Sequence, residues 1–278
     1  QAINEDLKFS RGNKDDLKKL SKQSYFVDSV INEVVKDLVE EQGISEQIAR
    51  KTVYNNGLKI YTTMDSKVQK EMDAVFQNNK YFSIVNSSAG QPQGAMVIME
   101  PETGHVKALY GGAGEKKGNC WNRATQSKLQ CGSTIKPIAV YGPALNEKTI
   151  TAATVYDDVP VYMLGTNKPR YPENDDRKFK GLTCIRDGLI NSRNVIAAKV
   201  WKDMYDRNSN LSVEYLKKAG IDRTSEKGYI GSIALGGLKN GVSPLDMAAA
   251  YAPFANKGVY IEPATYTKVL DKDGNAIL

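Results

Sequence analysis

Ser133 and Lys136 have the residue types and the spacing that serine acyl chemistry requires. A serine hydroxyl is a weak nucleophile and needs a nearby base to take its proton. A lysine amine serves as that base when burial lowers its pKa, because desolvation disfavours the ammonium form. The two residues lie in "CGSTIKP", where a helical backbone would bring positions i and i+3 onto one face. Ser-x-x-Lys occurs nowhere else in the sequence.

The residues around this pair predict an α-helix that begins at or just before Ser133. Pro137 fits such a start, because proline is tolerated in a first turn, where its missing N–H would have no partner. Gly132 allows a sharp entry into the helix. The positive end of the helix dipole would then favour a developing alkoxide on the serine.

A second motif, Ser192-Arg193-Asn194, follows 59 residues after Ser133 and is the only Ser-x-Asn in the sequence. Taken alone, it is typical of a loop and helix cap before a helix predicted at residues 195–202. The two motifs in this order are the combination found in penicillin-binding proteins and class A β-lactamases.

Other catalytic chemistries find little support in the residue inventory. The only histidine, His105, falls in a predicted hairpin turn, so no Ser-His-Asp triad is available. With one histidine and no Cys-x-x-Cys, we predict neither a bound metal nor any other cofactor. A cysteine hydrolase built on Cys131 and His105 is disfavoured, since nothing would orient the imidazole. Cys120, Cys131 and Cys184 allow at most one disulfide, and the pattern leaves open whether one forms.

The composition is that of an ordinary globular protein with a moderate positive charge. The sequence has 278 residues, 41% hydrophobic and 25% charged, with a net charge of +6. No run approaches the roughly 18 consecutive apolar residues of a membrane-spanning helix. The positive charge favours mild attraction to an anionic surface such as a phospholipid layer or a wall polymer. Nucleic acid is not a predicted partner, because no basic cluster interleaved with aromatic residues occurs.

The first third of the sequence predicts a polar tail and then alternating helices and strands. Residues 1–23 are polar and lysine-rich and indicate a linker. Residues 25–51 show helical periodicity with a break at Gly43. The β-branched stretch "GLKIYTTMD" predicts a strand, and Asp65 can cap the helix that follows it. The predicted buried face of that helix comprises Val68, Met72, Val75 and Phe76.

The remainder predicts a hairpin, a helical region and a final strand. A turn-rich stretch at 86–94 precedes two apolar runs, at 95–110, that surround a four-residue turn. From Trp121 to about Trp201 the pattern is mainly helical, interrupted by a polar loop at 165–181. The rest of the sequence predicts three further features. These are a helix capped by Ser243 and Asp246, the end of that helix at Gly258, and a final strand followed by an Asp-Gly turn.

Each motif lies within a longer stretch of sequence, and these stretches together show a family resemblance. These stretches are "WNRATQSKLQCGSTIKP", "YPENDDRKFKGLTCIRDGLINSRNVIA" and "LGGLKNGVSPLDMAAAYAPFANKGVYIEP", with "YFVDSVINEV" and "GLKIYTTMD" upstream. In this order they resemble class A penicillin-binding proteins, the bifunctional peptidoglycan synthases of bacterial cell walls. The resemblance implies an α+β fold, the penicillin-binding serine transpeptidase fold, in which helices surround a central antiparallel sheet in an α/β sandwich.

The resemblance also implies a role for each motif residue. Ser133 would attack the penultimate D-Ala carbonyl of a peptidoglycan stem peptide ending in D-Ala-D-Ala, and Lys136 would take the hydroxyl proton. Ser192 would relay a proton to the leaving group, and Asn194 would bind the substrate's amide. An amine from a neighbouring stem would resolve the acyl-enzyme as a cross-link. β-Lactams would mimic the D-Ala-D-Ala end and remain as covalent ligands.

One element of the family pattern is missing from the sequence. The third motif of the family, Lys-Thr/Ser-Gly, lies on a strand beside the nucleophile, and this sequence contains no such tripeptide. The sequence stops at Leu278, three apolar residues into a predicted returning strand. We therefore expect a second polypeptide, cut from the same precursor, to carry the motif on a strand that pairs with the 95–110 hairpin.

The resemblance sets expectations for domains and location as well. Residues 1–56 would be a linker and tail after an absent glycosyltransferase domain, and residues 57–93 an inter-domain linker. Residues 94–278 would be the N-terminal part of the transpeptidase domain. The full-length parent would also be a glycosyltransferase, held at the outer face of the bacterial cytoplasmic membrane by an N-terminal segment absent from this sequence.

Three other functions share parts of this pattern. A D,D-carboxypeptidase or a β-lactamase would also use Ser-x-x-Lys and an asparagine-bearing second motif. The upstream "IYTTMD" stretch favours the synthase over the β-lactamase, which would in addition have to activate a deacylating water. A non-catalytic penicillin-sensing or wall-binding module would keep the fold without releasing D-Ala.

Overall fold

The computed structural model describes residues 23–82, 92–118, 120–162, 172–223 and 231–278. The predicted tail at residues 1–23, apart from its last residue, and most of the turn-rich stretch at 86–94 lie outside these ranges. The first part of the polar loop predicted at 165–181 also lies outside them.

Within these ranges the chain alternates helices with short strands. The elements are α1 (Tyr25–Gln42), α2 (Glu46–Asn55), β1 (Lys59–Thr62), α3 (Ser66–Gln77), β2 (Met96–Met99), β3 (Val106–Tyr110), α4 (Gly142–Asn146), β4 (Val155–Asp158), β5 (Gly181–Cys184), α5 (Ile185–Ile190), α6 (Asn194–Arg207), α7 (Leu211–Lys218), α8 (Pro244–Ala255) and β6 (Tyr266–Leu270). Before α4 lie a 3-10 helix, Gly132–Ile135, and a π-helical turn, Pro137–Tyr141, which together with residue 136 form the Ser133 turn. No helix in the described ranges is both long and apolar enough to cross a bilayer.

Contacts divide the chain into two compact units. The first unit comprises the described residues up to Ile98 together with 106–124 and 264–278. The second comprises residues 99–105 and 125–263. This division follows contacts alone, and the domain boundaries expected from the sequence remain a prediction.

The helical prediction for residues 25–51 is confirmed, including its break. α1 starts after Ser24, whose hydroxyl accepts a hydrogen bond from the Val27 N–H at 3.2 Å. It ends at Gly43, which has a left-handed φ of 64° that glycine adopts without steric cost. The apolar residues of its buried face are Tyr25, Phe26, Val30, Ile31, Val34, Val35 and Leu38.

Asp65 caps α3, as the sequence predicts. Its carboxylate accepts hydrogen bonds from the backbone N–H groups of Val68 at 3.1 Å and Lys67 at 2.9 Å. These bonds stabilise the ionised form and lower the pKa of the Asp65 carboxyl.

The buried face of α3 differs in part from the predicted one. Met72 and Phe76 are buried, whereas Val75 is 45% exposed. Gln69 is buried instead, donating to the Leu109 carbonyl at 3.1 Å and accepting from the Leu109 N–H at 2.9 Å. Because a glutamine satisfies the backbone of β3 here, apolar periodicity alone does not reveal the true face.

The strands form three two-stranded sheets among the described residues. β1 and β6 pair antiparallel, with Lys59 opposite Leu270. β2 pairs with β3, which confirms the predicted hairpin, and β4 pairs antiparallel with β5. After β6 the chain turns through Gly274 and returns, so that the Ile277 N–H donates to the Val269 carbonyl at 2.9 Å. Helices combined with antiparallel strand pairs confirm the predicted α+β class.

The mainly helical prediction for residues 121–201 was wrong at β4 and β5. These strands pair from Val155 opposite Cys184 to Asp158 opposite Gly181. Each has only four residues, and their partners are distant in sequence, so local patterns carry little information about them. The helix predicted at 195–202 is confirmed as part of the longer α6.

The core of the second unit packs the Ser133 turn against α6 and α7. Its larger buried members are Ile135, Ile138, Val140, Tyr141, Ile196, Val200, Trp201, Met204 and Leu216. The Ser212 hydroxyl of α7 donates to the Ala139 carbonyl at 2.8 Å, which ties α7 to the backbone of the turn. The buried side of the Ser133 turn is therefore held in place by α6 and α7.

The predicted capping pattern of α8 is confirmed and its predicted end is shifted. The Ser243 hydroxyl accepts from the Asp246 N–H at 3.1 Å, and the Asp246 carboxylate accepts from the Ser243 N–H at 3.3 Å. α8 ends before Asn256 rather than at Gly258. The Gly258 N–H donates back to the Pro253 carbonyl at 2.8 Å, so this glycine closes the turn that follows the helix.

Candidate active site

The Ser133 turn is helical, although it is not the α-helix that the sequence predicted. Residues 132–135 form a 3-10 helix, and the chain then widens into a π-helical turn, in which the Gly142 N–H donates to the Pro137 carbonyl. Gly132 enters the turn with a φ of 56°, a conformation that glycine adopts readily. π-Helical turns are rare and occur frequently at functional sites.

The turn places Ser133 and Lys136 in contrasting environments. Ser133 is exposed, whereas Lys136 is 1% exposed. Their backbones meet directly, because the Lys136 N–H donates to the Ser133 carbonyl. Among the described residues, no hydrogen bond joins the Ser133 hydroxyl to the Lys136 amine. The structure thus places the two residues one turn apart without a direct side-chain bond.

The Lys136 amine is held by the second motif. Its Nζ donates to Asn194 Oδ1 at 2.6 Å, to the Ser192 carbonyl at 2.8 Å and to Ser192 Oγ at 3.1 Å. The structure therefore brings three of the four residues selected from the sequence into one hydrogen-bonded cluster. The fourth, Ser133, is exposed, and among the described residues no hydrogen bond joins its hydroxyl to this cluster.

Burial changes the pKa of the Lys136 amine. Desolvation disfavours the charged form and lowers the pKa of Lys136 to about 8. A substantial fraction of the amine is then neutral near physiological pH, whereas an exposed lysine stays almost fully protonated. A lysine with this pKa is able to accept a proton.

Ser192 and Asn194 stand at the entry to α6, on either side of Arg193. Ser192 has a φ of 50°, which is uncommon for a residue other than glycine. Left-handed conformations of this kind cost about 1–3 kcal/mol and persist only where the surroundings hold them. Asn194 is half-buried, and its Nδ2 donates to the Glu173 carbonyl at 2.8 Å.

Gly236 and Gly241 lie directly against the backbone of the residues just before Ser133, where a side chain would not fit. A Cβ atom added at Gly236 would overlap the backbone of Gly132, and one added at Gly241 would lie 2.6 Å from Leu129. Leu129 pairs with Val242 in an isolated β-bridge. This close approach of two backbones fixes where the Ser133 turn begins.

Sequence reasoning missed a buried polar group behind the second motif. Arg193 is 4% exposed and forms an ion pair with Asp158, which is 0% exposed. Asn174, also buried, donates to Asp158 Oδ1 at 2.8 Å. The only indication of this group in the sequence was the arginine at the centre of the Ser-x-Asn motif. No spacing pattern links Arg193 to Asp158 and Asn174.

The alternative chemistries gain nothing from the structure. Cys120, Cys131 and Cys184 are all free and half-buried. Burial raises the pKa of the Cys131 thiol, which opposes formation of a reactive thiolate. The His105 imidazole lies 4.0 Å from the Glu100 carboxylate. The described residues contain no cluster of His, Cys, Asp and Glu able to hold a metal ion.

This fold, with an exposed serine one turn before a buried lysine that the second motif holds, agrees with a family comparison. Residues 94–276 match the family model described as "Penicillin binding protein transpeptidase domain". The match covers more than half of the chain, so the chain belongs to the penicillin-binding protein transpeptidase family.

Individual relatives agree with this assignment. The chain is 38% identical over 269 residues to penicillin-binding protein 1A of Clostridium tetani, a match that covers 91% of this chain and 34% of the relative. It superposes with a TM-score of 0.68 and 25% identity on PonA1 of Mycobacterium tuberculosis in complex with penicillin V, covering 90% of this chain and 64% of that one. Penicillin-binding protein 1A of Haemophilus influenzae shares the fold, with a TM-score of 0.69 and 22% identity over 91% of this chain and 49% of that one.

The chain spans about a third of the length of the curated relatives that it matches. The family identity predicted from the sequence, with its transpeptidase class, is confirmed.

Proposed function

We propose that Ser133 is the nucleophile of a D,D-transpeptidase that cross-links peptidoglycan stem peptides through a serine acyl-enzyme. The observation that carries the proposal is the buried Lys136 amine, which lies one turn after an exposed serine and is held by Ser192 and Asn194. A lowered lysine pKa and an exposed hydroxyl are the two properties that acylation requires of this pair.

The first half of the reaction forms the acyl-enzyme. The neutral Lys136 amine takes the Ser133 hydroxyl proton while Oγ bonds to the carbonyl carbon of the penultimate D-Ala. The Ser133 backbone N–H stabilises the resulting oxyanion. Ser192 Oγ passes its proton to the nitrogen of the terminal D-Ala and receives in its place the proton that Lys136 took from Ser133. The C–N bond breaks, D-Ala leaves, and Lys136 is neutral again.

The second half resolves the acyl-enzyme. The amine of a neighbouring stem attacks the ester carbonyl, loses a proton to the cluster, and expels Ser133 Oγ, which takes its proton back. A new peptide bond joins the two stems. A β-lactam enters the first half through its ring amide. When the C–N bond breaks, the nitrogen stays joined to the acyl fragment, so no leaving group departs and the molecule remains attached as a covalent ligand.

The hydrogen bonds around Lys136 are compatible with both of its charge states. The Ser192 carbonyl and Asn194 Oδ1 only accept, so each takes an N–H from Lys136 Nζ. An ammonium donates its third hydrogen to Ser192 Oγ, whereas a neutral amine keeps a lone pair in that position. The lowered pKa makes this neutral form accessible, and its lone pair can receive a hydroxyl proton.

Asn194 has one donor position left for the substrate. Its Oδ1 accepts from Lys136, and one Nδ2 hydrogen is directed to the Glu173 carbonyl. An amide nitrogen carries two hydrogens. We assign the second hydrogen to the carbonyl of the stem peptide's amide, which orients the D-Ala-D-Ala end toward Ser133.

Three broader assignments belong to this proposal and rest on the family. The Lys-Thr/Ser-Gly strand of the family pairs with the β2–β3 hairpin, where Met96 and Ile98 of β2 are exposed apolar residues. Residues 1–56 and 57–93 connect the transpeptidase portion, 94–278, to a glycosyltransferase domain. The parent protein acts at the outer face of the cytoplasmic membrane.

Labelling with a fluorescent penicillin tests the central assignment. We expect the intact protein to be labelled, Ser133→Ala to lose labelling, and Cys131→Ala to keep it, since Cys131 is a neighbouring side chain with a raised pKa. Peptide mapping should place the adduct on Ser133. Labelling that survives Ser133→Ala, or rapid turnover of nitrocefin in place of stable labelling, would overturn the assignment.

A further inference from the structure

Arg193 separates the two side chains that hold the Lys136 amine. Ser192 precedes it and Asn194 follows it, and both bond to Lys136 Nζ. Among the described residues, Arg193 has no hydrogen bond to Lys136 or Ser133, and its buried side chain, 4% exposed, is directed toward Asp158 and Asp176. Its role therefore lies in what it does to its two neighbours.

The guanidinium is fixed from several sides. Its Nε donates to Asp158 Oδ2 at 2.8 Å, and its Nη2 lies 2.7 Å from the same oxygen. Its Nη1 donates to Asp176 Oδ2 at 2.9 Å, and its Nη2 also donates to the Lys178 carbonyl. A planar guanidinium held at this many points has one orientation, and this restricts the movement of the backbone that carries it.

Asp158 links this anchor to the start of α6. Its side chain is fully buried, at the end of β4. Asn174 donates to Asp158 Oδ1 at 2.8 Å and, through its own Oδ1, accepts from the Val195 N–H at 3.2 Å. Arg193 within the motif and Val195 just after the motif are thus tied to one buried carboxylate.

The backbone at Ser192 explains why such an anchor is needed. Its φ of 50° is not a conformation that serine adopts by preference. Two backbone bonds hold the turn, from the Ser192 N–H to the Leu189 carbonyl at 3.0 Å and from the Arg193 N–H to the Gly188 carbonyl at 2.8 Å. Without a fixed side chain at Arg193, the turn is free to relax and carry Ser192 away from the amine.

We propose that Arg193, anchored by the buried Asp158 carboxylate, is a positioning residue that holds Ser192 and Asn194 in hydrogen-bonding contact with the Lys136 amine. The inference rests on the proposed acylation of Ser133. It deepens that proposal by assigning the geometry of the proton-transfer cluster to an ion pair that touches no reacting atom.

Asp158→Asn in the intact protein is the direct test. The substitution keeps the size of the side chain and an acceptor oxygen for Asn174, but it removes the charge that anchors Arg193. We expect acylation by a fluorescent penicillin to slow by about 10- to 100-fold, since displacements near 1 Å cost about that much. We also expect the rising limb of the rate–pH profile to move to higher pH, because a displaced motif lets water reach Lys136.

Asp206→Asn is the matched control. Asp206 lies on the same helix, α6, and pairs with Lys202 at 2.5 Å, where both side chains are exposed. The control should leave the acylation rate and its pH profile unchanged. A wild-type rate and an unmoved profile in Asp158→Asn, or equal slowing in the control, would overturn the positioning role.

A second, milder variant keeps the proposal testable if the first one does not fold. If Asp158→Asn does not fold, Asp176→Asn decides the question, because Asp176 is the half-exposed partner of Arg193, with a side chain 46% exposed. We expect slower acylation and the same shift of profile, in a smaller amount, and an unchanged rate and profile would overturn the proposal. Adduct mapping separates the two claims: an adduct away from Ser133 in the unaltered protein overturns the proposed function, whereas a Ser133 adduct with unaffected variants overturns only the positioning role.

Discussion

Lys136 Nζ donates a 2.6 Å hydrogen bond to Asn194 Oδ1, although 58 residues separate the two in sequence. This bond, with the two to Ser192, makes a single cluster of the Ser-x-x-Lys and Ser-x-Asn motifs. The buried amine lies at the centre of the cluster, and the exposed Ser133 precedes it by one turn. The predictions below separate what the amine contributes from what its neighbours contribute.

Lys136→Arg should slow acylation by orders of magnitude in a folded protein. A guanidinium keeps the positive charge, but it does not release a proton in the range where proteins are stable, so it cannot serve as a base. Penicillin-labelling rates measure the effect, and circular dichroism verifies the fold. Lys202→Arg, on an exposed part of α6, is the control and should acylate normally. Near-normal acylation in Lys136→Arg would place the base elsewhere.

The acylation rate of the unaltered protein should rise with pH and reach half of its maximum near pH 8. Only the neutral amine accepts the Ser133 proton, and burial lowers the pKa of Lys136 to about 8. Well below this value the neutral fraction falls about tenfold for each pH unit, and it becomes nearly constant about one unit above it. Stopped-flow acylation across about pH 6 to 10 measures the profile. A flat profile across this range contradicts the role of Lys136.

Asn194→Asp should move that profile to higher pH. The new carboxylate would replace the amide oxygen that lies 2.6 Å from Lys136 Nζ, and a nearby negative charge stabilises the ammonium form. The pKa of Lys136 should therefore rise, and acylation at neutral pH should fall by about tenfold or more. Unlike the loss seen in Lys136→Arg, this loss should be recovered in part at alkaline pH. An unmoved profile would show that Asn194 does not influence the base.

Ser192→Gly should separate the hydroxyl of Ser192 from its backbone conformation. Glycine accepts a φ of 50° without strain, so the variant should be as stable as the unaltered protein, or more stable by about 1 kcal/mol. Acylation should nevertheless slow, because the relay hydroxyl is gone. Ser192→Ala, which keeps the strain, should slow acylation to a similar degree. If both react normally, the motif is only a cap of α6.

Gly236→Ala should destabilise the protein by more than a left-handed φ alone explains. Gly236 has a φ of 81°, and its added Cβ would overlap the backbone of Gly132. Gly258 has a similar φ of 84° but open space around it, which makes Gly258→Ala the matched control. The control should lose about 1–2 kcal/mol of unfolding free energy, and Gly236→Ala a further 1–3 kcal/mol or so. Chemical denaturation measures both, and equal losses would mean that the close approach is unimportant.

Local features of the fold were predictable from the sequence, and features that depend on distant partners were not. The caps at Asp65 and Ser243 are decided within four residues of chain, so their side chains alone indicate them. The β4–β5 pair joins Asp158 to Gly181 across 23 positions, and neither short strand shows strong alternation. Its existence depends on the packing of the unit as a whole.

The same distinction between local features and features that depend on distant partners applies to the candidate site. Ser133, Lys136, Ser192 and Asn194 were selected from two motifs and from a family resemblance, and three of them form the cluster. The bonds from Ser192 and Asn194 to the lysine, in place of a direct Ser133 contact, could not be predicted, because they depend on how the turn at Ser192 meets the amine. The ion pair of Arg193 with Asp158, 35 residues away, shows no sequence pattern at all.

The π-helical turn at Pro137–Tyr141 has a consequence for how the chain tolerates changes in length. A π turn is an α-helix with one extra residue, so deletion of a single residue there would restore regular winding. Since each residue of an α-helix turns the chain by about 100° and advances it by about 1.5 Å, such a deletion would rotate Ser133 and Lys136 as a pair relative to α4. The amine would leave its three acceptors while every side chain of the two motifs remained in the sequence. The site is thus specified by the angular phase between two helical segments as well as by its residues, and homologous sequences with a gap at this turn would need a compensating insertion nearby.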